Sequence, residues 1–288
     1  MSGYGINLTP CACYRHPEGS GVFSEVLESR PWFSGGVLML KRSPAAVVFI
    51  VVAAVSALLV MPRPALAVAD RLPDLGMGQL GDLSIDTTTI PGHRLLRFRT
   101  VIANVGIGPL ETIGARSDTT VTEMTVRQRI YDDAGSYRDV NTSAVMFYAG
   151  DGHNHWHVRD AEAYELLRLD NGSKVGVGAK HGFCYFDNTR YRLSLPRAPS
   201  DPVYTGCGTQ GDLTVTTGIS VGWADTYPAF VPFQYIDVTG LKFGRYRLRA
   251  TADPQDWFAE TNNGNNSTWV DIHLTASAVR IVANGPAI

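Results

Sequence analysis

The stretch "HRLLRFRTVIANVG", residues 93–106, decides the fold class. Leu96, Phe98 and Ile102 fall at alternate positions, and two arginines occupy the positions between them. Successive side chains of a β-strand point to opposite faces, so this stretch would have one apolar face and one wet face. A strand of that kind is typical of an antiparallel sheet that covers a core on one side.

Similar alternation recurs along the chain. It is found in "EMTVRQRIY" (residues 123–131) and "RYRLRATA" (residues 245–252), and Asn171-Gly172 is a strong hairpin-turn signal. No long stretch has the 3.6-residue period of a helix. We therefore predict a single all-β domain, an antiparallel β-sandwich, with long functional loops over residues 185–230.

The N-terminal part is typical of an export signal. Two cations precede an apolar run at residues 45–61, and Ala-x-Ala cleavage signals follow it. We predict that residues 1–67 are an N-terminal extension and signal peptide, with the true start at Met39, and that residues 68–288 form the β-domain. Export would make the protein secreted, extracellular or bound at the cell surface, with no stable membrane span after cleavage. A single membrane anchor is the alternative.

Charge and cysteine content narrow the function classes. The formal net charge is −2 and no basic run is present, which argues against nucleic acid as a partner. Only Cys184 and Cys207 remain beyond residue 67. In an oxidising compartment we expect these two to form a disulfide. Two buried free thiols are the alternative.

Three histidines stand at alternate positions in "DGHNHWHV", residues 151–158. On a strand His153, His155 and His157 would point to one face, with neighbouring side chains roughly 6.5–7 Å apart. Three neutral imidazoles with an open position suit Cu²⁺ or Zn²⁺, and the affinity order favours copper. An incidental row of exposed imidazoles and a structural zinc site remain as alternatives. A zinc hydrolase is less favoured because no glutamate base stands beside the row.

These residues belong to a wider pattern that resembles the lysyl oxidase family, the copper- and quinone-dependent amine oxidases. Four segments carry the resemblance: "HNHWH", "GAKHGFC", "GWADTY" and "QYIDVTGLKFGRYRL", and the upstream "PDL" and "LLRF" also fit. They follow one another in the family's order. The resemblance extends from about Leu72 to Leu274.

The resemblance implies roles for particular residues. His153, His155 and His157 would be the copper ligands. Lys180 and Tyr227 would be the catalytic pair that becomes lysine tyrosylquinone, a cofactor made from the protein's own side chains. The implied reaction converts a primary amine, such as a protein lysine, with O₂ to an aldehyde, hydrogen peroxide and ammonia.

A second metal is also implied. "ETNNGNN", residues 260–266, resembles the calcium-binding segment of the family, which pairs with the upstream "PDL". All implied ligands are oxygen donors, as calcium requires. They are Asp74, the carbonyl of Leu75, Glu260, Asn262, Asn265 and Asn266. The alternative interpretation is a polar turn between two strands.

Several positions depart from the family pattern. Pro228 follows the tyrosine where the family has glycine, which restricts Tyr227 to extended geometry. Ala163 stands where a further histidine would be a proton acceptor. Asp225, two residues from Tyr227, is the remaining candidate for the catalytic base.

A non-catalytic function is the alternative hypothesis. The C-terminal run from Gly240 to Leu274 also resembles the Ig-like CARDB domain found in adhesion-related cell-surface proteins. A binding or adhesion module with a residual metal row would then explain the sequence. The joint presence of Lys180, Tyr227 and the three histidines favours the oxidase.

Overall fold

Alternating strands form the framework of the described chain. The structure, a computed structural model, describes residues 68–150 and 152–288. The predicted extension and signal peptide, residues 1–67, lie outside the described residues. Within the described ranges no helix is long and apolar enough to cross a bilayer.

Eighteen strands and one 3₁₀ turn make up the regular structure of the described ranges. The strands, in chain order, are β1 Asp70–Arg71, β2 Leu75–Met77, β3 Gly81–Asp86, β4 Leu95–Asn104, β5 Leu110–Ala115, β6 Glu123–Asp132, β7 Tyr137–Ala149, β8 His155–Arg159, β9 Glu162–Arg168, β10 Lys174–Val177, β11 Gly182–Phe183, β12 Thr189–Arg190, β13 Thr214–Ile219, β14 Trp223–Tyr227, β15 Tyr235–Asp237, β16 Gly244–Ala252, β17 Ser267–Leu274 and β18 Val279–Asn284. The 3₁₀ turn is Asn263–Asn265.

The strands form three antiparallel sheets. The first has the order β11-β8-β7-β6-β5-β13, with β1 also paired to β6. The second has the order β10-β9-β16-β17-β18. The third has the order β12-β14-β4-β15, with β2 and β3 also paired to β4. The prediction of an all-β antiparallel domain is confirmed, and the third sheet adds to the two layers expected of a simple sandwich.

The predicted alternation is observed in the first half of β4, whereas Val101 and Ala103 make the second half buried on both faces. Leu96, Phe98 and Ile102 are fully buried, and on the opposite face the Nε of Arg97 donates to Asp86 at 2.7 Å. Side chains from all three sheets share one apolar core, because Phe98 of the third sheet belongs to the same buried cluster as the first and second sheets. Burial of one face of each sheet is the main stabilising contribution of such a core.

The predicted hairpin at Asn171-Gly172 is confirmed. It connects β9 to its antiparallel neighbour β10. Gly172 has a φ of +70°, a conformation that glycine adopts without steric cost. The side chain of Asn171 accepts a hydrogen bond from the Ser173 amide at 3.0 Å, which closes the turn.

The prediction of long loops over residues 185–230 is correct only in part. Three strands, β12, β13 and β14, lie inside this range. β13 pairs with β5 along its whole length, and β14 lies between β12 and β4. The burial of β14 does not alternate, because most of its residues are enclosed on both faces. A strand enclosed in this way lacks the two-residue period that identifies a half-buried strand in a sequence.

The predicted disulfide is present. Cys184 and Cys207 are bonded, with Cα atoms 5.9 Å apart and a sequence separation of 23. The bridge joins the residue after β11 to the loop that precedes β13. The carbonyl of Cys207 accepts a hydrogen bond from the amide of Trp156 in β8 at 2.9 Å, so the bridged loop lies against the histidine strand.

Removal of this disulfide should destabilise the fold. We expect the double variant Cys184→Ala/Cys207→Ala to lower the free energy of unfolding by about 3 kcal/mol, because the unfolded chain regains the entropy of an open loop. Equilibrium urea unfolding of the metal-free protein measures the change. Addition of a reductant should destabilise the wild type and leave the variant unaffected, and equal sensitivity of both proteins would contradict the prediction.

Candidate functional site

The histidine row lies at the start of β8. His155 and His157 are strand residues, paired across from Ala149 and Phe147 of β7. His153 precedes the strand in a turn in which Asn154 has a φ of 50°. The prediction that all three histidines share a regular strand face is therefore wrong for His153.

The turn nevertheless brings the three imidazoles together. The Nε2 atom of His157 lies 2.9 Å from Nε2 of His155 and 3.4 Å from Nδ1 of His153. The ligand atoms of all three lie within 4.8 Å of one another. Two nitrogens that each bind one ion at about 2 Å lie at most about 4 Å apart, so this group fits a single transition-metal ion after small ring rotations.

Burial keeps the imidazole of His157 neutral. His157 is only 3% exposed, and desolvation, assisted by the nearby Lys180 charge, lowers its pKa to about 2. The ring has room because residue 182 is a glycine: a Cβ there would lie 2.4 Å from Nδ1 of His157. A neutral, fixed imidazole is the form that binds a metal ion.

Lys180 is buried beside this cluster. It is 5% exposed, and its Nζ lies 5.1 Å from the ring centroid of Tyr227. Backbone hydrogen bonds fix the segment on both sides, from the Ala179 amide to the Tyr235 carbonyl at 3.0 Å and from the Asp160 amide to the His181 carbonyl at 2.8 Å. The lysine amine is therefore held close to the face of the tyrosine ring.

Tyr227 ends β14 and is also buried. Its hydroxyl donates to the carbonyl of Cys184 at 3.0 Å, and its ring meets that of Phe183 edge-to-face with centroids 5.3 Å apart. The expected extended geometry before Pro228 is observed, because Tyr227 pairs with Thr100 as a strand residue. Desolvation and the adjacent Asp225 carboxyl raise the pKa of its phenol well above the usual range.

Asp225 lies on the same strand and is fully buried. Its Oδ1 accepts a hydrogen bond from Nδ2 of Asn188 at 2.8 Å, whereas Oδ2 has no hydrogen-bond partner among the described residues. Burial raises the pKa of this carboxyl well above its usual value. Asp225 is therefore a desolvated acid next to the Tyr227 phenol.

Sequence reasoning missed a second buried acid, Glu162. It is 2% exposed, and its Oε2 accepts hydrogen bonds from the hydroxyls of Tyr164 at 2.7 Å and Thr100 at 3.3 Å. Its Oε1 is buried without a partner in the described part of the chain. Desolvation raises its pKa to about 8. The signal was present in β9, where Glu162, Tyr164 and Leu166 fall on one buried face.

The oxygen-donor residues form a second cluster, next to β2. Nδ2 of Asn265 donates to Asp74 at 2.7 Å, and Nδ2 of Asn266 donates to Glu260 at 2.9 Å. The Oδ1 atoms of Asn265 and Asn266 are buried, with no hydrogen-bond partner among the residues described. Desolvation raises the pKa of Glu260 to about 8. Two buried amide oxygens and a desolvated carboxyl are a donor set that fits a calcium ion.

The two remaining implied calcium ligands are Asn262 and the carbonyl of Leu75. Asn262 is exposed, and its Oδ1 accepts a hydrogen bond from the Gly264 amide at 3.0 Å, which caps the 3₁₀ turn. The amide of Leu75 donates to Glu260 at 2.6 Å, so the backbone of Leu75 lies beside the cluster. The structure therefore brings Asp74, Leu75, Glu260 and the last two asparagines together and leaves Asn262 at the edge.

Comparison with known proteins shows which family the sequence belongs to. The family model for lysyl oxidase matches residues 140–284, half of the chain. The chain belongs to the lysyl oxidase family. The matched region contains the three histidines, Lys180 and Tyr227.

Individual relatives agree with this membership. The chain is 33% identical to "Lysyl oxidase homolog 1" of Homo sapiens over 128 residues, which are 44% of this chain and 20% of that protein. It is 31% identical to "Protein-lysine 6-oxidase" of Gallus gallus over 124 residues, 43% of this chain and 27% of that protein. The chain thus matches about a fifth to a quarter of the length of these relatives.

The buried Glu162 should give this lysyl oxidase family member a pH-dependent stability. The pKa is about 8 in the folded protein against 4.5 in the unfolded chain, so the folded state retains a proton that the unfolded state releases. Stability is therefore lost as pH rises from about 4.5 to about 8, by up to about 1.4 kcal/mol per pH unit. In metal-free protein we expect Glu162→Gln to flatten this loss, as measured by chemical denaturation at several pH values.

Glu165 on the same strand provides the matched control. Burial alone would raise its pKa, but the hydrogen bonds and charges of Arg249 and Lys174 together lower it below the usual value, so Glu165→Gln should leave the slope between pH 5 and 8 unchanged. The same slope in wild type and Glu162→Gln would contradict the prediction.

Proposed function

We propose that residues 68–288 form an exported, copper-dependent amine oxidase. It would convert primary amines, peptidyl lysine or similar, to aldehydes and release hydrogen peroxide and ammonia. Its cofactor would be a lysine tyrosylquinone made from Lys180 and Tyr227. The observation that carries the proposal is the buried Lys180 amine, 5.1 Å from the Tyr227 ring centroid, in a protein whose three clustered imidazoles lie at the start of β8.

The three histidines are the residues that would hold copper. Two of the three nitrogen separations, 2.9 and 3.4 Å, already fall in the range for ligands of one ion. Bound copper and O₂ would supply the oxidising power that converts the phenol to a quinone, and the quinone would accept the electrons of the amine. Tyr227 and all three histidines line one pocket, so substrate, metal and ring would meet there.

The chain's own side chains prepare the cross-link. Packing of Phe183 against the Tyr227 ring and the hydrogen bond to the Cys184 carbonyl hold the phenol in one orientation. Burial excludes water from both reacting groups, which prevents side reactions. A new bond from Nζ of Lys180 to a ring carbon requires only a short movement of a flexible side chain.

Asp225 would exchange protons with the site. Its carboxyl lies close enough to the Tyr227 hydroxyl to raise the pKa of the phenol, and its desolvated state makes it a stronger base than an exposed aspartate. Asp225 does not line the pocket that contains Tyr227 and the histidines. Its proton partner would therefore be the phenol rather than a substrate in that pocket.

The burial of Lys180 and Tyr227 also argues against the alternative function, a binding or adhesion module. A binding or adhesion module needs neither a buried lysine nor a desolvated tyrosine beside a metal-binding group, and both cost free energy to bury. The disulfide supports export, because such bonds persist in oxidising compartments. These observations favour the oxidase over the adhesion module.

We further propose that Asp74, the carbonyl of Leu75, Glu260, Asn265 and Asn266 bind calcium. The buried amide oxygens support this proposal, since a cation would satisfy atoms that are otherwise desolvated without a partner. The site would join β2 to the turn between β16 and β17, segments distant in the sequence. Calcium would therefore act on stability rather than on the reaction.

Peptide mapping after reconstitution with copper in air tests the oxidase proposal. We expect the peptides that contain Lys180 and Tyr227 to disappear as separate species and to reappear as one cross-linked species. Purified protein should release hydrogen peroxide with a primary amine. The variants Lys180→Arg and Tyr227→Phe should lack both properties, and Lys242→Arg, a lysine in a different loop, should retain both. Recovery of both peptides unmodified from the wild type would refute the proposal.

Calcium should raise the thermal stability of chelator-treated protein. We expect Asn266→Ala to lose most of the calcium-dependent rise in Tm, because its amide oxygen is in the buried cluster. Asn262→Ala should retain most of the rise, since its side chain caps a turn outside that cluster. Differential scanning calorimetry with added calcium measures both. Equal losses in the two variants would show that the ligand set is wrong.

A further inference from the structure

The pocket in front of the three histidines, which we call the uncharged pocket, is lined mainly by apolar side chains. It has a volume of ≈ 570 Å³, and the three histidines and Tyr227 line it. Five apolar residues also line it: Phe186, Pro228, Phe230, Val231 and Pro232. Of the residues that the structure describes, no aspartate, glutamate, lysine or arginine lines it.

The polar side chains of this pocket are already paired with one another. Asn188 donates to Asp225 at 2.8 Å and to the Thr226 carbonyl at 3.1 Å. Thr189 contacts Asn188 and the Thr226 hydroxyl, each at 2.8 Å. The hydrogen-bonding groups of Asn188 and Thr189 are therefore used within the pocket wall. Neither side chain is a carboxylate that would pair with a cation.

Phe230 extends the apolar wall to the pocket rim. Its ring is 82% exposed, although the surrounding backbone is fixed by a hydrogen bond from the Val231 amide to the Pro228 carbonyl at 3.1 Å. Arg97 donates to the neighbouring carbonyl of Ala229 at 3.3 Å. A large apolar side chain held open to solvent at a pocket rim is available to a ligand.

A second cavity, ≈ 660 Å³ in volume, is lined in part by Lys180 and has the opposite character. Acids and bases line it, including Glu162, Glu165 and Arg249. Neither Tyr227 nor any of the three clustered histidines lines it. The uncharged pocket is therefore the one that meets both the ring and the metal-binding group.

We propose that this pocket selects primary monoamines whose amino group is carried on an apolar carbon skeleton. The inference rests on the proposed function, because it assigns the substrate class of the same site. The amino end meets the Tyr227 ring, and the carbon chain lies against Phe230, Val231 and the two flanking prolines. A peptidyl lysine enters where its neighbours are apolar rather than basic.

Two physical effects set this preference. Removal of the apolar carbon chain from water favours its binding against the apolar residues of the pocket. A second ammonium group would lose its hydration in the pocket and find no carboxylate, which costs free energy. Two amines of equal length that differ in one charge therefore separate the effects of shape and charge.

Pentylamine and cadaverine form such a pair. Isothermal titration of the copper-reconstituted Tyr227→Phe protein, in which no quinone can form and react with the amine, measures the Kd of each, and the further substitutions below are made in this background. We expect pentylamine to bind at least about tenfold more tightly than cadaverine. Phe230→Ala should weaken pentylamine binding several-fold and leave the Kd of cadaverine nearly unchanged. Phe243→Ala, at a comparably exposed phenylalanine (61%) outside this pocket, should behave as the Tyr227→Phe protein does.

Equal or tighter binding of cadaverine would overturn the proposal, as would a pentylamine affinity that Phe230→Ala does not change. Peroxide release by the wild-type protein with the same amines in air is a separate measurement. Its absence with both amines refutes the oxidase function, whereas the binding preference tests the pocket by itself.

Discussion

Burial of the Lys180 ammonium over the Tyr227 ring is the constraint on which the rest of the site depends. A buried charge costs several kcal/mol unless nearby groups compensate for its lost hydration. The ring face attracts the ammonium, and the Glu162 and Asp225 carboxyls lie close enough for their pKa values to respond to Lys180. An arrangement that costs this much free energy is typical of a functional site rather than of a stabilising core.

The sheet topology makes this arrangement possible. β8 and β11 are neighbours in the first sheet, so the histidines and the segment after Lys180 lie side by side. β14 belongs to the third sheet and places Tyr227 at its end. Phe183 of β11 packs on the Tyr227 ring, and this contact connects the two sheets at the site. The disulfide that follows Phe183 fixes the same corner, since Cys184 also accepts the Tyr227 hydroxyl hydrogen bond.

Sequence patterns predicted the parts of this structure that depend on local geometry. The alternation in β4 and β16, the turn at Gly172 and the pairing of the two cysteines follow from short-range rules. The patterns did not predict β14, whose residues are buried on both faces, or the turn that brings His153 to its partners. They also missed Glu162, because an acid in an alternating strand is ordinarily a solvent-facing residue. In each case contacts between distant segments decide the outcome.

The central claim is that one metal ion binds between three imidazoles beside a joined lysine and tyrosine. Anomalous diffraction at the copper absorption edge, from crystals of the copper-reconstituted protein, tests it most directly. We expect one strong peak at about 2 Å from a nitrogen of each of His153, His155 and His157, with continuous electron density between Lys180 and Tyr227. A principal peak elsewhere, or well-separated Lys180 and Tyr227 side chains in fully reconstituted crystals, would contradict it.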